Sequence, residues 1–303
     1  MNLAPDSKVL IQGITEPLGA ISAEKMQAYG TNIVAGVSPG QGGRNLHDIP
    51  VFDLVEQALA TVGKVDTTIL FVPPYLALDG AQEAIAAGIQ QIILITEGIP
   101  PLDMVRLVRK AEAADTIMLG PGCSGAIVPG KTLLGTHPGD FYIPGPVGIV
   151  GRSRTLTHEV ALALTQAKLG QSISINIGNS GILGSSFTQW LPQLDRDEGT
   201  QAIVLVGEVG RKGEEKAARY IASNIDKPVV AYIAGCYLPQ NKYLGSTDTI
   251  YAQPYETLLR ERLSTPSQSI DRVANLLEVF KVAKIPVADR PSQIPQLVKQ
   301  MLI

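Results

Sequence analysis

The sequence predicts two open α/β domains, each a mostly parallel sheet covered by helices. Three observations predict this. Short apolar runs rich in Val and Ile recur and alternate with stretches of helical spacing. A segment from Gly120 to Pro146 interrupts that series with Pro121, Pro129, Pro138, Pro144, Pro146 and many glycines. A second strand–helix series follows it. Strands that are apolar on both faces and alternate with helices indicate a buried parallel sheet. A chain of 303 residues, 45% of them hydrophobic, is long enough for two such domains.

The elements run in order. Val9-Leu10-Ile11 is a strand, Ile21 to Tyr29 a helix and Ile33-Val34-Ala35 a strand. Thr68 to Val72, Ile92 to Ile95 and Ile117-Met118-Leu119 are further strands, with a helix over Ala81 to Ala87. The domain boundary falls near residue 145, at the end of the Pro/Gly-rich stretch, dividing the chain into 1–145 and 146–303. Val147 to Val150, Ile173 to Ile177, Ala202 to Val206 and Val229 to Ile233 then read as strands. Thr155 to Lys168 and Gly213 to Asn224 read as helices, the latter with Glu214 and Glu215 in a first turn where the helix dipole favours acids. Ligands of such sheets bind at the carboxyl ends of the strands, against helix N-termini.

Composition narrows the function. The net charge of -3 and a pI near 5.7 argue against nucleic acid as the main partner. No run of 18 apolar residues exists to cross a membrane, and Met1 to Asp6 lacks the character of a signal peptide. Two distant cysteines, Cys123 and Cys236, are too few for a disulfide scaffold, so the cytoplasm is the expected location.

The motifs exclude several chemistries. The first βα turn, Gly13-Ile14-Thr15-Glu16-Pro17-Leu18-Gly19, is not G-x-G-x-x-G, and no acid follows the second strand to hold a ribose. Gly125 to Thr132 matches G-x-x-x-x-G-K-T, but Leu133-Leu134-Gly135-Thr136-His137-Pro138 cannot continue as the helix a phosphate loop needs. His47, His137 and His158 lie at no metal-ligand spacing and read as surface or loop histidines; no metal is expected. At Gly151 to Glu159 hydroxyls stand where a strand gives way to a helix, with Ser153 or Thr155 as the N-cap.

Several segments together resemble the α subunit of succinyl-CoA synthetase. They are Gly36-Val37-Ser38-Pro39-Gly40-Gln41-Gly42-Gly43, Ile95-Thr96-Glu97-Gly98-Ile99-Pro100, Gly120-Pro121-Gly122-Cys123-Ser124-Gly125, Arg152 to Glu159, Gly207-Glu208-Val209-Gly210 and Tyr232-Ile233-Ala234-Gly235. They occur in that family's order and spacing from about residue 8 to 245; beyond residue 250 the match fades, and Tyr251 to Ser269 looks like an insertion. The resemblance implies a Rossmann-like CoA-binding-type domain followed by a flavodoxin-like domain. It also implies a β-type ATP-grasp partner that supplies ATP and Mg. In the family a histidine of the second domain is phosphorylated, its phosphate passes to succinate, and CoA displaces that phosphate as a thioester.

Carried over residue by residue, the resemblance implies CoA contacts at Thr15, Gln41, Thr96, Glu97 and Gly98. It implies phosphate or substrate contacts at Cys123, Ser153, Arg154, Thr155 and His158. Glu208 matches the acid that orients the histidine. The departures are concentrated at these positions. Glu16 brings a negative charge to the CoA loop, Gln41 replaces a lysine, Gly122 an asparagine, Arg154 a glycine and His158 a tyrosine. At the histidine itself stands Ser246, in Gly245-Ser246-Thr247-Asp248, and the glycine-rich loop after it is gone. A serine phosphate is an ester of much lower transfer potential. Two readings follow. One is an α-like protein without phosphohistidine chemistry, a structural or regulatory partner of a β-type subunit or a self-associating sensor of acyl-CoA or another anion, with CoA binding weakened. The other is an active acid–CoA ligase using His158 or Asp248 as phosphoacceptor.

Overall fold

The structure is a computed structural model and describes residues 3–209, 212–236 and 271–302. Its first sheet contains β1 (Val9–Gln12), β2 (Ile33–Val37), β3 (Asn45–Leu46), β4 (Ile49–Phe52), β5 (Thr67–Leu70), β6 (Gln91–Leu94) and β7 (Ile117–Leu119). The strand order is β3-β4-β2-β1-β5-β6-β7, parallel except for the β3–β4 hairpin. Helices α1 (Pro17–Ala28), α2 (Val55–Val62), α3 (Ala77–Ala86) and α4 (Pro101–Ala113) connect the strands. The chain runs outward from β1 on one side and returns to β5 on the other. The crevice at the carboxyl ends of β1 and β5 is therefore the topological switch point. Helix α1 begins a turn ahead of the expected Ile21, because Pro17 at its first position loses no hydrogen bond there. Gly19 lets that helix lie on the turn before it, since a Cβ would collide with the Gly13 carbonyl.

The second sheet has the order β14-β13-β12-β10-β11-β8-β9. Its strands are β8 (Gly125–Val128), β9 (Thr132–Gly135), β10 (Pro144–Gly151), β11 (Gln171–Asn176), β12 (Ala202–Glu208), β13 (Val229–Ala234) and β14 (Val287–Ala288). Taken alone, β11-β10-β12-β13-β14 is the 2-1-3-4-5 order of a flavodoxin-like sheet, with its switch point at the ends of β10 and β12. Helices α5 (Arg154–Gln166), α6 (Phe187–Arg196), α7 (Lys212–Asn224), α8 (Asp271–Val282) and α9 (Ile294–Met301) flank it. Phe187 and Trp190 of α6 are fully buried, each contributing about 1.5–3 kcal/mol from transfer out of water. The Trp190 indole donates to Ser185 Oγ at 2.9 Å.

The Pro/Gly-rich stretch is not a linker. It forms the β8–β9 hairpin, which pairs antiparallel with β11. The chain therefore changes sheet between Leu119 and Gly125, ahead of residue 145. The hairpin also joins the two halves. Thr31 Oγ1 donates to the Leu133 carbonyl at 2.6 Å and accepts from its N–H at 3.1 Å, and Gly130 N–H donates to Tyr29 Oη at 3.1 Å. One face of the first sheet, through Val9 and Ile11, and Met26 of α1 share a continuous apolar core with Leu133 and Leu134. The other face packs on α2, α3 and α4 through Leu10, Leu70 and Leu94.

Candidate functional site

A cleft of about 370 Å³ lies at the first switch point. Its walls come from the β1–α1 turn (Glu16, Leu18), the ends of β5 and β6 (Phe71 to Pro74, Ile95 to Glu97) and Arg154 of the second sheet's α5. Four of the residues singled out by sequence or set beside them thus meet there: Glu16, Thr96, Glu97 and Arg154. The Arg154 guanidinium forms an ion pair with the Glu97 carboxylate, linking the two halves across the cleft. Thr96 is buried and its hydroxyl donates to the Val72 carbonyl at 2.7 Å, tying β6 to β5. Gly98 adopts a φ of 72°, which turns the chain sharply after Glu97.

Thr15 and Gln41 form a neighbouring group around Ser38. The Thr15 hydroxyl donates to Ser38 Oγ at 2.9 Å, and the Gln41 N–H donates to the Ser38 carbonyl at 3.0 Å. Cys123 lies behind the cleft rather than in it. It is fully buried, its thiol donates to the Leu94 carbonyl at 3.3 Å, and burial pushes its pKa up to about 12. A neutral, enclosed thiol cannot meet a substrate in this arrangement.

Ser153 is the N-cap of α5, its Oγ accepting from the Leu156 N–H at 3.4 Å; Thr155 is exposed beside it. The end of β10 is fixed by Asn176, which accepts from Ser124 N–H at 3.2 Å and donates to the Arg152 carbonyl at 3.3 Å. Beneath it Arg152 and Glu214 make a buried ion pair at 3.8 Å. Glu214 Oε1 also accepts from the Glu208 N–H at 3.2 Å, and burial raises the Glu214 pKa despite Arg152. Glu214 stands in the first turn of α7, as sequence reasoning placed it, and its side chain turns inward. Glu208, half-buried, ends β12 at the second switch point.

The histidine reading holds for His47 and, as a loop position, for His137, although that ring is buried; His158 belongs to α5. His47 is exposed in the β3–β4 turn, as a surface histidine would be. His137 is buried: its Nε2–H donates to the Gly125 carbonyl at 3.2 Å, so Nδ1 accepts from Tyr142 Oη at 2.8 Å. The half-buried His158 stacks edge-on against it, ring centroids 5.2 Å apart. Burial lowers their pKa values to about 3 and about 4, helped by their mutual repulsion at His137 and by Arg154 at His158. Both rings are neutral near pH 7, and His158 Nε2 is enclosed, away from solvent. Ser246, Asp248 and the Tyr251 to Ser269 segment lie outside the described residues. What sequence missed are the local pair His137–Tyr142 and the ion pair Arg152–Glu214, whose partners lie 62 positions apart.

The CoA binding domain family matches residues 5–98, and the CoA-ligase family matches residues 150–259. The α subunit 2 of succinate–CoA ligase (ADP-forming) from Archaeoglobus fulgidus is 43% identical over 244 residues, covering 80% of this chain and 84% of that protein. The chain belongs to the succinate–CoA ligase α-subunit family. The family extends to related acids: the malate–CoA ligase α subunit of Methylorubrum extorquens is 40% identical over 256 residues, covering 82% of this chain and 86% of its own. Among solved structures, ATP citrate lyase from Methanosaeta concilii superposes with a TM-score of 0.82 at 20% identity, over 99% of this chain and 50% of that one. The chain thus spans about half the length of that larger enzyme, and the likeness is one of fold. No helix among the described residues is long and apolar enough to cross a membrane.

Proposed function

We propose that this succinate–CoA ligase α-type chain has lost phosphohistidine transfer and serves as a structural or regulatory partner, holding an acyl-CoA or another anion rather than converting it. The observation that carries the reading is the histidine inventory. The chain has three histidines, and Ser246 stands where the family's phosphorylated histidine belongs. His47 sits in a distant exposed turn, and His137 and His158 are packed against each other. An unassisted serine is a poor nucleophile, and its phosphate ester would not pass the group on to a carboxylate.

The cleft supports weakened CoA binding. Among the described residues Glu16 and Glu97 line it with Arg154 as the cation, and Gln41 holds no charge. A like charge 4 Å from a phosphate opposes binding by up to about 4 kcal/mol at an effective dielectric near 20, and less where water screens it. A β-type ATP-grasp subunit in the cytoplasm is the proposed partner, with self-association as the fallback. ATP and Mg would enter through that subunit.

The test incubates the chain, alone and with a β-type subunit, with labelled ATP, succinate and CoA. No acid-labile label and no thioester above the blank are expected, and Ser246→His alone should restore neither. Label on the chain or thioester product would overturn the reading. Titration calorimetry should find CoA binding weaker than micromolar.

A further inference from the structure

We infer that Arg154 is the oxyanion receptor of the interdomain cleft and Glu97 its built-in competitor: the ion pair opens when a ligand carboxylate or phosphate replaces the Glu97 carboxylate. This rests on the reading above only in taking the cleft as a ligand site.

Four observations carry it. The pair joins α5 of the second sheet to the segment after β6 of the first, so it spans the cleft mouth rather than bracing one element. Its side chains remain 37% and 50% exposed, so water and a ligand can reach both. An ion pair this exposed contributes little and is easily exchanged for another anion of the same shape. The rest of the lining is largely apolar, including Leu18, Phe71, Val72 and Ile95, and the hydroxyl of Thr96 is engaged with the backbone. Among the described residues, the charged groups lining the cleft are Arg154, Glu97 and Glu16. One guanidinium and a repelling Glu16 suit a single oxyanion on an apolar stem and disfavour polyanions.

The fourth observation is Gly122. A Cβ built there would stand 3.2 Å from Glu97 Cγ and 2.7 Å from Asn179 Oδ1. Glu97 leans over this position, which any side chain would contest. Gly122 and Arg154 are thus two halves of one arrangement: the first leaves room for the Glu97 side chain, the second holds its carboxylate.

The experiment titrates the whole chain, without nucleotide or partner subunit, with butyrate and separately with inorganic phosphate at low ionic strength, followed by NMR. Wild type is compared with Glu97→Gln and Arg154→Gln, and far-UV circular dichroism melts check that both variants fold. Glu97→Gln should bind one of the two anions roughly two- to fivefold more tightly than wild type, the range an exposed pair can impose. Arg154→Gln should weaken it at least about tenfold. Preference for butyrate identifies a carboxylate ligand, and preference for phosphate a phosphoryl one. Equal or weaker binding by Glu97→Gln, unchanged binding by Arg154→Gln, or no saturable binding by either wild type or Glu97→Gln overturns the inference. None of these outcomes bears on phosphotransfer, which the labelling assay tests alone.

Discussion

The two sheets treat buried polarity in opposite ways. In the first, the buried polar side chains are uncharged, and several reach one another: Gln12 Nε2 donates to Thr68 Oγ1 and Thr67 Oγ1 to Gln91 Oε1, both at 3.2 Å. In the second, the core holds His137, Arg152 and Glu214, all beside the end of β10 and the start of α5. Uncharged pairs cost little to bury and respond little to pH, whereas buried ionisable groups must be matched or kept neutral. Around the second sheet's switch point the protein retains costly groups, the pattern of a site whose electrostatics matter.

Glu214→Ala tests this contrast with the largest effect. It leaves the Arg152 guanidinium buried without its carboxylate and should cost about 3–5 kcal/mol. In the first sheet, Thr68→Val leaves only the Gln12 amide short of one acceptor, for about 1–3 kcal/mol. Trp190, the chain's single tryptophan, is buried in the second half. Its fluorescence in urea reports that half, while far-UV circular dichroism reports both. Equal losses for the two variants would erase the distinction between the sheets.

Acid should break the same half. The folded pKa values of His137 and His158, about 3 and about 4, lie below the ordinary 6.5. Below pH 6.5 the unfolded chain therefore binds more protons, and stability falls as pH drops towards 4. At pH 5 the loss is about 2 kcal/mol for His137 and less for the half-buried His158. Glu214 acts with the opposite sign: its raised pKa favours the protonated fold as pH falls, offsetting part of the loss. The urea midpoint of Trp190 fluorescence should decline between pH 7.5 and 5, and His158→Leu should flatten that decline. A pH-independent midpoint would contradict the burial of the two rings.

How much of this was legible in sequence follows the range of the interactions. Strands β1, β2, β5, β6 and β7 of the first sheet, β10 to β13 of the second and the capped start of α5 were readable, because periodicity and an N-cap serine act within a few residues. The β8–β9 hairpin was not, since its partner β11 is supplied from 40 or so residues on and its own Pro and Gly residues signal a loop. Helix α6 hid behind Pro192, although the capping box of Ser186 and Gln189 announces it. The inward turn of Glu214 depends on which elements pack together. The meeting of Glu97 with Arg154 required both domains in place.

A smaller effect sharpens the comparison at two glycines of positive φ. Gly43 of the first half, at 84°, has nothing within 4 Å of a built Cβ, so Gly43→Ala meets backbone strain alone, about 1 kcal/mol. Gly122, at 66°, adds the collisions with Asn179 and Glu97, and Gly122→Ala should cost about 1–2 kcal/mol and loosen the Glu97–Arg154 pair. Thermal melts of the two variants rank them; a larger loss at Gly43 would mean that Glu97 does not depend on the space over Gly122.

The smallest effect belongs to the segment whose sequence looks most like a nucleotide site. Gly125 to Thr132 fits the phosphate-loop pattern, yet a phosphate loop works because a helix starts at its lysine and aims free N–H groups at the anion. Here Lys131 is the exposed residue of a hairpin turn, its N–H donating to the Val128 carbonyl at 3.0 Å. Gly130 takes the positive φ of that turn, and its N–H is engaged with Tyr29. The residues that follow enter β9, where Leu133 and Leu134 are buried. The backbone donors are committed to the turn, the sheet and the domain junction, and the lysine points no helix at anything. By contrast, a helix does start at Arg154, whose side chain lines the cleft. Lys131→Met should therefore shift stability by no more than about 0.5 kcal/mol, as at an ordinary surface position. It should also leave ATP retention by the chain unchanged in equilibrium dialysis, with or without a β-type subunit. A tenfold loss of bound nucleotide in this variant, roughly 1.4 kcal/mol, would mean that the hairpin rearranges on binding and that the sequence pattern outweighs the strand geometry.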